Sequence, residues 1–111
     1  MAKSHPVGLP IPEAAIDDPK SREMIRVWVA DKGLHCVINV RSWGNDVDEP
    51  AAWAVVLADV ARHVANALEE QGGRDAREVA LEIRDMFNSE MDHPTSKMKG
   101  SFMTRKTKRS K

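Results

Sequence analysis

The sequence predicts a small α+β domain in which a β-hairpin packs on two antiparallel helices. Residues 24–41 alternate apolar and polar side chains around a turn sequence, a period typical of a hairpin. Two later segments, at about residues 49–71 and 76–91, repeat their apolar residues at the helical period. A chain of 111 residues with 41% hydrophobic and 31% charged residues has the size and composition of one globular domain.

We predict that residues 1–22 are an extended, flexible lead-in and that the domain covers residues 23–92. Four prolines disfavour a helix in the lead-in: Pro6, Pro10, Pro12 and Pro19. Its run "GLPIP" is apolar, and whether it adds a third strand to the hairpin stays open at this point. The lead-in lacks the apolar core of a signal peptide, no segment reaches the length of a membrane span, and the one cysteine fits a reducing compartment. We therefore expect a cytoplasmic protein.

The hairpin strands run on either side of "DKG". We predict a two-residue loop at Lys32 and Gly33, which sets Val29 opposite Cys36 and Trp28 opposite Val37. One side of the sheet then holds only apolar residues and the thiol, namely Ile25, Val27, Val29, Cys36, Ile38 and Val40. The other side holds Arg26, Trp28, His35, Val37, Asn39 and Arg41.

The first helix begins after Asp48, a suitable N-cap, and Gly72 and Gly73 end it. Its core-facing stripe is predicted to contain Trp53, Val56, Leu57, Val60, Val64, Ala67 and Leu68. Beside the stripe runs an alanine ridge that lets another backbone approach closely, formed by Ala54, Ala58, Ala61 and Ala65.

The second helix begins after Asp75, with Glu78 placed as in a capping box, and "DHPT" stops it. Its apolar arc is predicted to contain Ala76, Val79, Ala80, Ile83, Met86, Phe87 and Met91.

Residues 93–111 are predicted to be a disordered basic tail, because they show no sustained periodicity. The tail has no acidic residue and seven basic ones: Lys97, Lys99, Arg105, Lys106, Lys108, Arg109 and Lys111. The other ten basic residues and all seventeen acidic residues lie in residues 1–92, which gives that part a net charge of −7. Such a tail could bind nucleic acid through phosphates, or it could solubilise the chain or dock on its own acidic body.

Two strands are few for an independent sheet, and a strand edge this apolar invites pairing. The sequence is compatible with a third strand from the lead-in or with a homodimer that extends the sheet. We expect the homodimer, which would also cover Trp28 and Val37.

Catalytic and metal chemistry find little support. Cys36 and His35 are adjacent in a strand and therefore point to opposite faces, so they cannot form a nucleophile–base pair. The four histidines are scattered, and the spacing of Asp59 and His63 is that of a surface ion pair. We assign no catalytic residue, no metal ligand and no cofactor.

One polar cluster is a candidate binding site on the sheet: Arg26, Trp28, His35, Asn39 and Arg41. Guanidinium groups, an imidazole, an amide and an indole could bind an anion, a nucleotide or an acidic segment of a partner. The alternative is an ordinary solvent-facing side of the sheet, with Trp28 covered by a neighbouring strand or subunit.

The run "IRVWVADKGLHCVINVRSWGNDVDEPAAWAVVLADVARHVANAL", with "RVWVADKGLH", "DEPAAW" and "LADVARHVANAL" as its most distinctive words, resembles a small domain family of unknown function found mostly in proteobacteria. The resemblance covers about residues 24–91. It implies a compact α+β cytoplasmic protein and carries no activity with it.

These observations predict a small non-enzymatic protein that acts by protein–protein interaction. Two alternatives stay open: nucleic-acid binding through the tail, and a small-ligand or anion site at the polar cluster.

Overall fold

A computed structural model describes residues 8–96 and 99–102 of the chain. Within them, a three-stranded sheet and a pair of long helices form an α+β fold, as predicted. The elements in chain order are α1 (Glu13–Asp17), β1 (Ile25–Ala30), β2 (Gly33–Ile38), α2 (Glu49–Gly72), α3 (Ala76–Asp92) and β3 (Lys99–Phe102).

The two long helices begin and end where their capping residues predict. The Asp48 carboxylate accepts from the Ala51 N–H at the start of α2. Gly73 ends that helix with φ at 72°, a left-handed conformation that glycine adopts without strain. The Asp75 carboxylate caps α3 by accepting from the N–H groups of Arg77 and Glu78.

The hairpin forms as predicted, but its register is shifted by two residues. The loop consists of Asp31 and Lys32, with φ values of 48° and 61°, and not of Lys32 and Gly33. Val29 therefore lies opposite Leu34, and Trp28 lies opposite His35. The predicted pairings of Val29 with Cys36 and of Trp28 with Val37 are wrong. A shift of two residues preserves the alternation of sides, so the division into an apolar and a polar side of the hairpin is unaffected.

The third strand comes from the tail and not from the lead-in. β3 runs parallel to β2, with Lys99 beside His35 and Phe102 beside Ile38, and the sheet order is β1-β2-β3. The prediction of disorder is therefore wrong for residues 99–102, and the tail residues 97–98 and 103–111 lie outside the described residues.

Gly100 makes the parallel pairing possible. Its φ is 135°, and a Cβ at this position would collide with the carbonyl oxygen of Cys36. The close approach of β3 to β2 thus requires a glycine here.

The lead-in is not extended throughout. The short helix α1 begins after Pro12, whose carbonyl oxygen accepts from the N–H groups of Ala15 and Ile16. The prolines that disfavour a helix precede or follow α1, and proline is tolerated next to a helix start. Residues 13–17 therefore correct the prediction of a fully extended lead-in.

The two long helices pack on each other. Among the described residues the only buried hydrophobic side chains are Ala65, from the alanine ridge of α2, and Val79 of α3. Small residues at this contact allow the helix backbones to approach closely.

The sheet and the helix pair are joined at a corner and do not lie face to face. Among the described elements, no Cα of the three strands lies within 8 Å of a Cα of α2 or α3. The expected packing of the hairpin on the helices is thus not made within this part of the chain.

One cluster, which we call the tryptophan junction (Arg41, Trp43, Glu49 and Trp53), connects the two halves. The Trp43 and Trp53 rings meet edge to face at 5.6 Å. One oxygen of the Glu49 carboxylate accepts from the Trp53 indole N–H at 2.9 Å and from the Arg41 backbone N–H at 2.7 Å.

Candidate functional site

The apolar side of the sheet is the first part of the candidate site. We call it the apolar sheet face, and it consists of Ile25, Val27, Val29, Leu34, Cys36 and Ile38. Val29 is 80% exposed, and about half of Val27 and of Leu34 is exposed. Phe102, beside Ile38 in β3, is exposed as well. Contiguous exposed apolar surfaces are unusual on monomeric proteins and are typical of interaction sites.

The second part lies on α2, where four residues of the predicted core-facing stripe stay between 38% and 50% exposed. We call them the exposed stripe: Leu57, Val60, Val64 and Leu68. At 3.6 residues per turn the stripe lies roughly 75° around the helix from Ala61 and Ala65. The contact with α3 therefore buries Ala65 and half-buries Ala61, and it leaves the stripe open.

The third part is a groove of about 840 Å³ between the lead-in and β1, which we call the β1 groove. Apolar residues supply most of its walls: Leu9, Ile11, Ile16, Ile25, Val27 and Trp28. Leu9 is 93% exposed and Ile11 is 66% exposed. The lead-in thus presents apolar side chains toward a space that no described residue fills.

The polar side of the sheet contains three of the five predicted binding residues, Arg26, Trp28 and His35. The Arg26 guanidinium is paired with the Glu23 carboxylate, with Nη2 at 2.8 Å from Oε1 and Nε at 3.1 Å from Oε2. Both contacts raise the pKa of Arg26 above its usual value. Trp28 and His35 are cross-strand neighbours. The His35 Nε2 is buried and has no hydrogen-bond partner among the described residues.

The other two predicted binding residues lie beyond the end of β2, which stops at Ile38. Asn39 is buried at 8% exposure, and its side-chain amide donates to the Glu23 carbonyl oxygen at 3.2 Å. Arg41 has a φ of 65° and takes part in the tryptophan junction through its backbone. The structure therefore gathers three of the five residues on the polar side and uses Asn39 and the Arg41 backbone to hold the strand ends.

Cys36 belongs to the apolar sheet face and is half-buried, while His35 belongs to the polar side. The strand pleat separates the thiol from the imidazole, so the arrangement does not offer a nucleophile activated by a base.

Residues 8–96 and 99–102 contain no group of three or more His, Cys, Asp or Glu side chains placed to hold a metal ion. Within the same residues, no helix combines the length and the apolar character needed to cross a membrane.

Sequence reasoning missed the role of Glu49 and Trp43. The sequence patterns described above predict no role for either residue. The available signal was a pair of tryptophans on either side of a helix start, with an acid one turn before the second of them. That spacing allows a carboxylate to accept from an indole N–H at i, i+4.

Of the seven predicted basic tail residues, Lys99 lies in β3. The other six, Lys97 and the five between residues 103 and 111, fall outside the described residues.

Comparison with solved structures gives a likeness in fold. The chain resembles a protein described as "a putative pyruvate dehydrogenase from the photosynthetic bacterium Rhodopseudomonas palustrus CGA009", with a TM-score of 0.62 and 24% sequence identity. The match covers 98% of this chain and 100% of the other. At this identity the match shows a shared fold only. No curated protein matches the chain.

A family model gives a more direct result. It matches residues 8–95, a range that contains the lead-in after residue 7, the hairpin and both long helices. The chain therefore belongs to the family described as a domain of unknown function, DUF5076.

Proposed function

We propose that this domain acts by protein–protein contact, and that its apolar sheet face is the contact surface. The single observation that carries the proposal is the exposure of Val27, Val29 and Leu34 on one continuous side of a sheet. A sheet buries its apolar face against another layer in a stable fold. Since no described element of this chain supplies that layer, a second protein chain is the occupant that the surface fits.

The chemistry of the described residues supports binding over catalysis. The thiol and the imidazole lie on opposite sides of the sheet, and Arg26 is already paired with Glu23. The side-chain amide of Asn39 donates to the Glu23 carbonyl oxygen.

Site-specific photo-crosslinking in cells that express the chain tests this function. A photoreactive phenylalanine analogue at Val29 samples the apolar sheet face. The same analogue at Leu81, which is 42% exposed on the charged side of α3, is the matched control. We expect a discrete protein adduct from position 29 and none from position 81. Absence of any adduct from position 29, or equal adducts from both positions, would overturn the proposal.

The charge separation of the chain favours nucleic-acid binding as a second candidate function. Seven basic residues and no acid follow residue 92, while residues 1–92 carry a net charge of −7. Binding to phosphates would weaken steeply with salt. A chain that ends at Phe102 keeps β3 and removes five of the seven basic residues. If this shortened chain binds a DNA or RNA duplex as tightly as the full chain at low salt, the tail is not the binding element.

A further inference from the structure

We infer that the partner of the apolar sheet face is a second copy of this chain, whose exposed stripe on α2 fills the β1 groove, which shares Ile25 and Val27 with that face. This inference rests on the proposed function and names its partner.

The groove and the stripe are of similar length. Four residues of β1 line the groove, Ile25, Arg26, Val27 and Trp28, and they extend over about 13 Å. The exposed stripe runs from Leu57 to Leu68, which spans about 17 Å of helix. A groove of about 840 Å³ along a strand of this length accommodates a row of aliphatic side chains from one helix face.

The two surfaces also match in chemistry. The groove exposes Leu9, Ile11, Ile16 and Val27, and the apolar sheet face beside it exposes Val29. The helix side exposes Leu57, Val60, Val64 and Leu68. Full burial of such a side chain corresponds to about 60–120 Å² of apolar surface. These nine partly exposed side chains therefore offer on the order of 500 Å² per copy, a large part of the roughly 800 Å² that each partner contributes to a standard interface.

Within the described residues, α2 of the same chain does not lie in the β1 groove. Glu49, at the first turn of α2, is tied to the backbone at Arg41, just beyond the end of β2. From this corner, α2 keeps every Cα more than 8 Å from the Cα atoms of the strands. A second copy has no such tether, so its α2 is free to lie in the groove.

Each chain carries one groove and one stripe, so two copies related by a twofold axis satisfy both surfaces at once. Such an isologous contact closes at two chains and leaves neither surface open to a third. This reciprocity distinguishes a second copy from an unrelated partner, which would cover one surface and leave the other exposed.

The inference predicts that a charge in the exposed stripe disrupts the dimer. Val60→Glu places a carboxylate in the groove of the partner and should weaken self-association by at least about 100-fold, as followed by sedimentation equilibrium. Val55→Glu is the matched control. Val55 is 60% exposed on the same helix, about 140° around the axis from Val60, and this variant should associate as the wild type does. Circular dichroism verifies that both variants remain helical.

Disulfide trapping locates the contact without relying on a disruptive variant. In a Cys36→Ser background, chains with Val27→Cys are mixed with chains with Val60→Cys and oxidised mildly. We expect a mixed disulfide-linked dimer of the two chains, and none when Leu81→Cys replaces Val60→Cys.

A wild type that stays monomeric, or a Val60→Glu chain that associates as tightly as the wild type, would overturn this inference. So would equal trapping at positions 60 and 81. If the chain is monomeric but position 29 still crosslinks to a different protein in cells, the proposed function is retained and the inference of self-association is rejected.

Discussion

At the C-terminal end of α3, Glu90 holds the segment that leaves the helix. Its two carboxylate oxygens accept from the Thr95 backbone N–H at 3.0 Å and from the Thr95 hydroxyl at 2.7 Å. Both bonds lower the pKa of Glu90 below its usual value, and the bond from the Thr95 backbone N–H has the larger effect. The charged carboxylate therefore stabilises this end of the helix above its ordinary pKa, and the stabilisation is lost as the pH falls through the lowered value.

We predict that Thr95→Ala moves the pKa of Glu90 part of the way back toward its usual value, since the hydroxyl bond is removed and the backbone bond remains. Titration of the Glu90 carboxyl carbon by NMR measures this shift. Thr95→Ser keeps the hydroxyl and should titrate like the wild type. An unchanged pKa in Thr95→Ala would contradict the assignment.

Glu49 connects the sheet half and the helix half of the chain through the tryptophan junction. Glu49→Ala removes the shared acceptor of the Trp53 indole and the Arg41 backbone N–H, and hydrogen bonds to a charged acceptor contribute about 1.5–3 kcal/mol. We predict a loss of about that size in the free energy of unfolding, measured by urea denaturation followed by tryptophan fluorescence. Glu70→Ala, at an exposed position of the same helix, should cost less than about 0.5 kcal/mol. Equal losses in the two variants would show that the junction is not a special contact.

Among the elements, the hairpin loop gives the sharpest contrast between sequence and structure. Asp31 and Lys32 both adopt positive φ, a conformation that costs a non-glycine residue about 1 kcal/mol. We predict that Lys32→Gly raises the free energy of unfolding by about 0.5–1 kcal/mol, whereas Lys32→Val lowers it by at least about 1 kcal/mol because a β-branched residue fits this region poorly. Thermal or urea unfolding measures both changes. A stabilising valine would contradict the loop conformation.

The pairing of β3 with β2 depends on the absence of a side chain at Gly100. Gly100→Ala should displace β3 from the sheet, because the new methyl group collides with the Cys36 carbonyl oxygen. Amide hydrogen exchange in β2 should accelerate in this variant. Gly8→Ala, where a Cβ meets no atom within 4 Å, is the control and should leave exchange unchanged. If the β2 amides remain protected in Gly100→Ala, β3 does not pair as described.

These elements also show how far the sequence predicts the fold. The long helices are predictable to within a residue because Asp48, Gly73 and Asp75 satisfy their end groups locally. The hairpin register is less predictable, since glycine is the usual residue at positive φ and here Lys32 takes that position next to Gly33. β3 is not predictable from local pattern, because its partner strand is about 60 residues away and its four residues are too few for a periodicity.

Only part of the candidate site is predictable from the sequence. Strand alternation fixes which side of the hairpin holds Arg26, Trp28 and His35, and this survives the shift in register. The exclusion of Asn39 and Arg41 from that side depends on where β2 stops, which the pattern does not reveal. The β1 groove depends on how the lead-in runs beside β1, a long-range arrangement that has no signature in spacing.

At the scale of the whole molecule, the described residues form two layers, the sheet and the helix pair, which are joined at the tryptophan junction. The described residues bury only Ala65 and Val79 as hydrophobic core, while the apolar sheet face and the exposed stripe remain open to solvent. A core this small does not offset the conformational entropy of about a hundred residues. By our inference, a second copy covers this apolar surface, and each copy completes the core of the other.

Thermal unfolding at two protein concentrations that differ by about 100-fold tests this claim most directly. When a folded chain draws its stability from association, mass action makes the midpoint of unfolding depend on the protein concentration. We predict a midpoint that rises with concentration for the wild type. The same midpoint at both concentrations, for a chain that unfolds reversibly, would contradict the account.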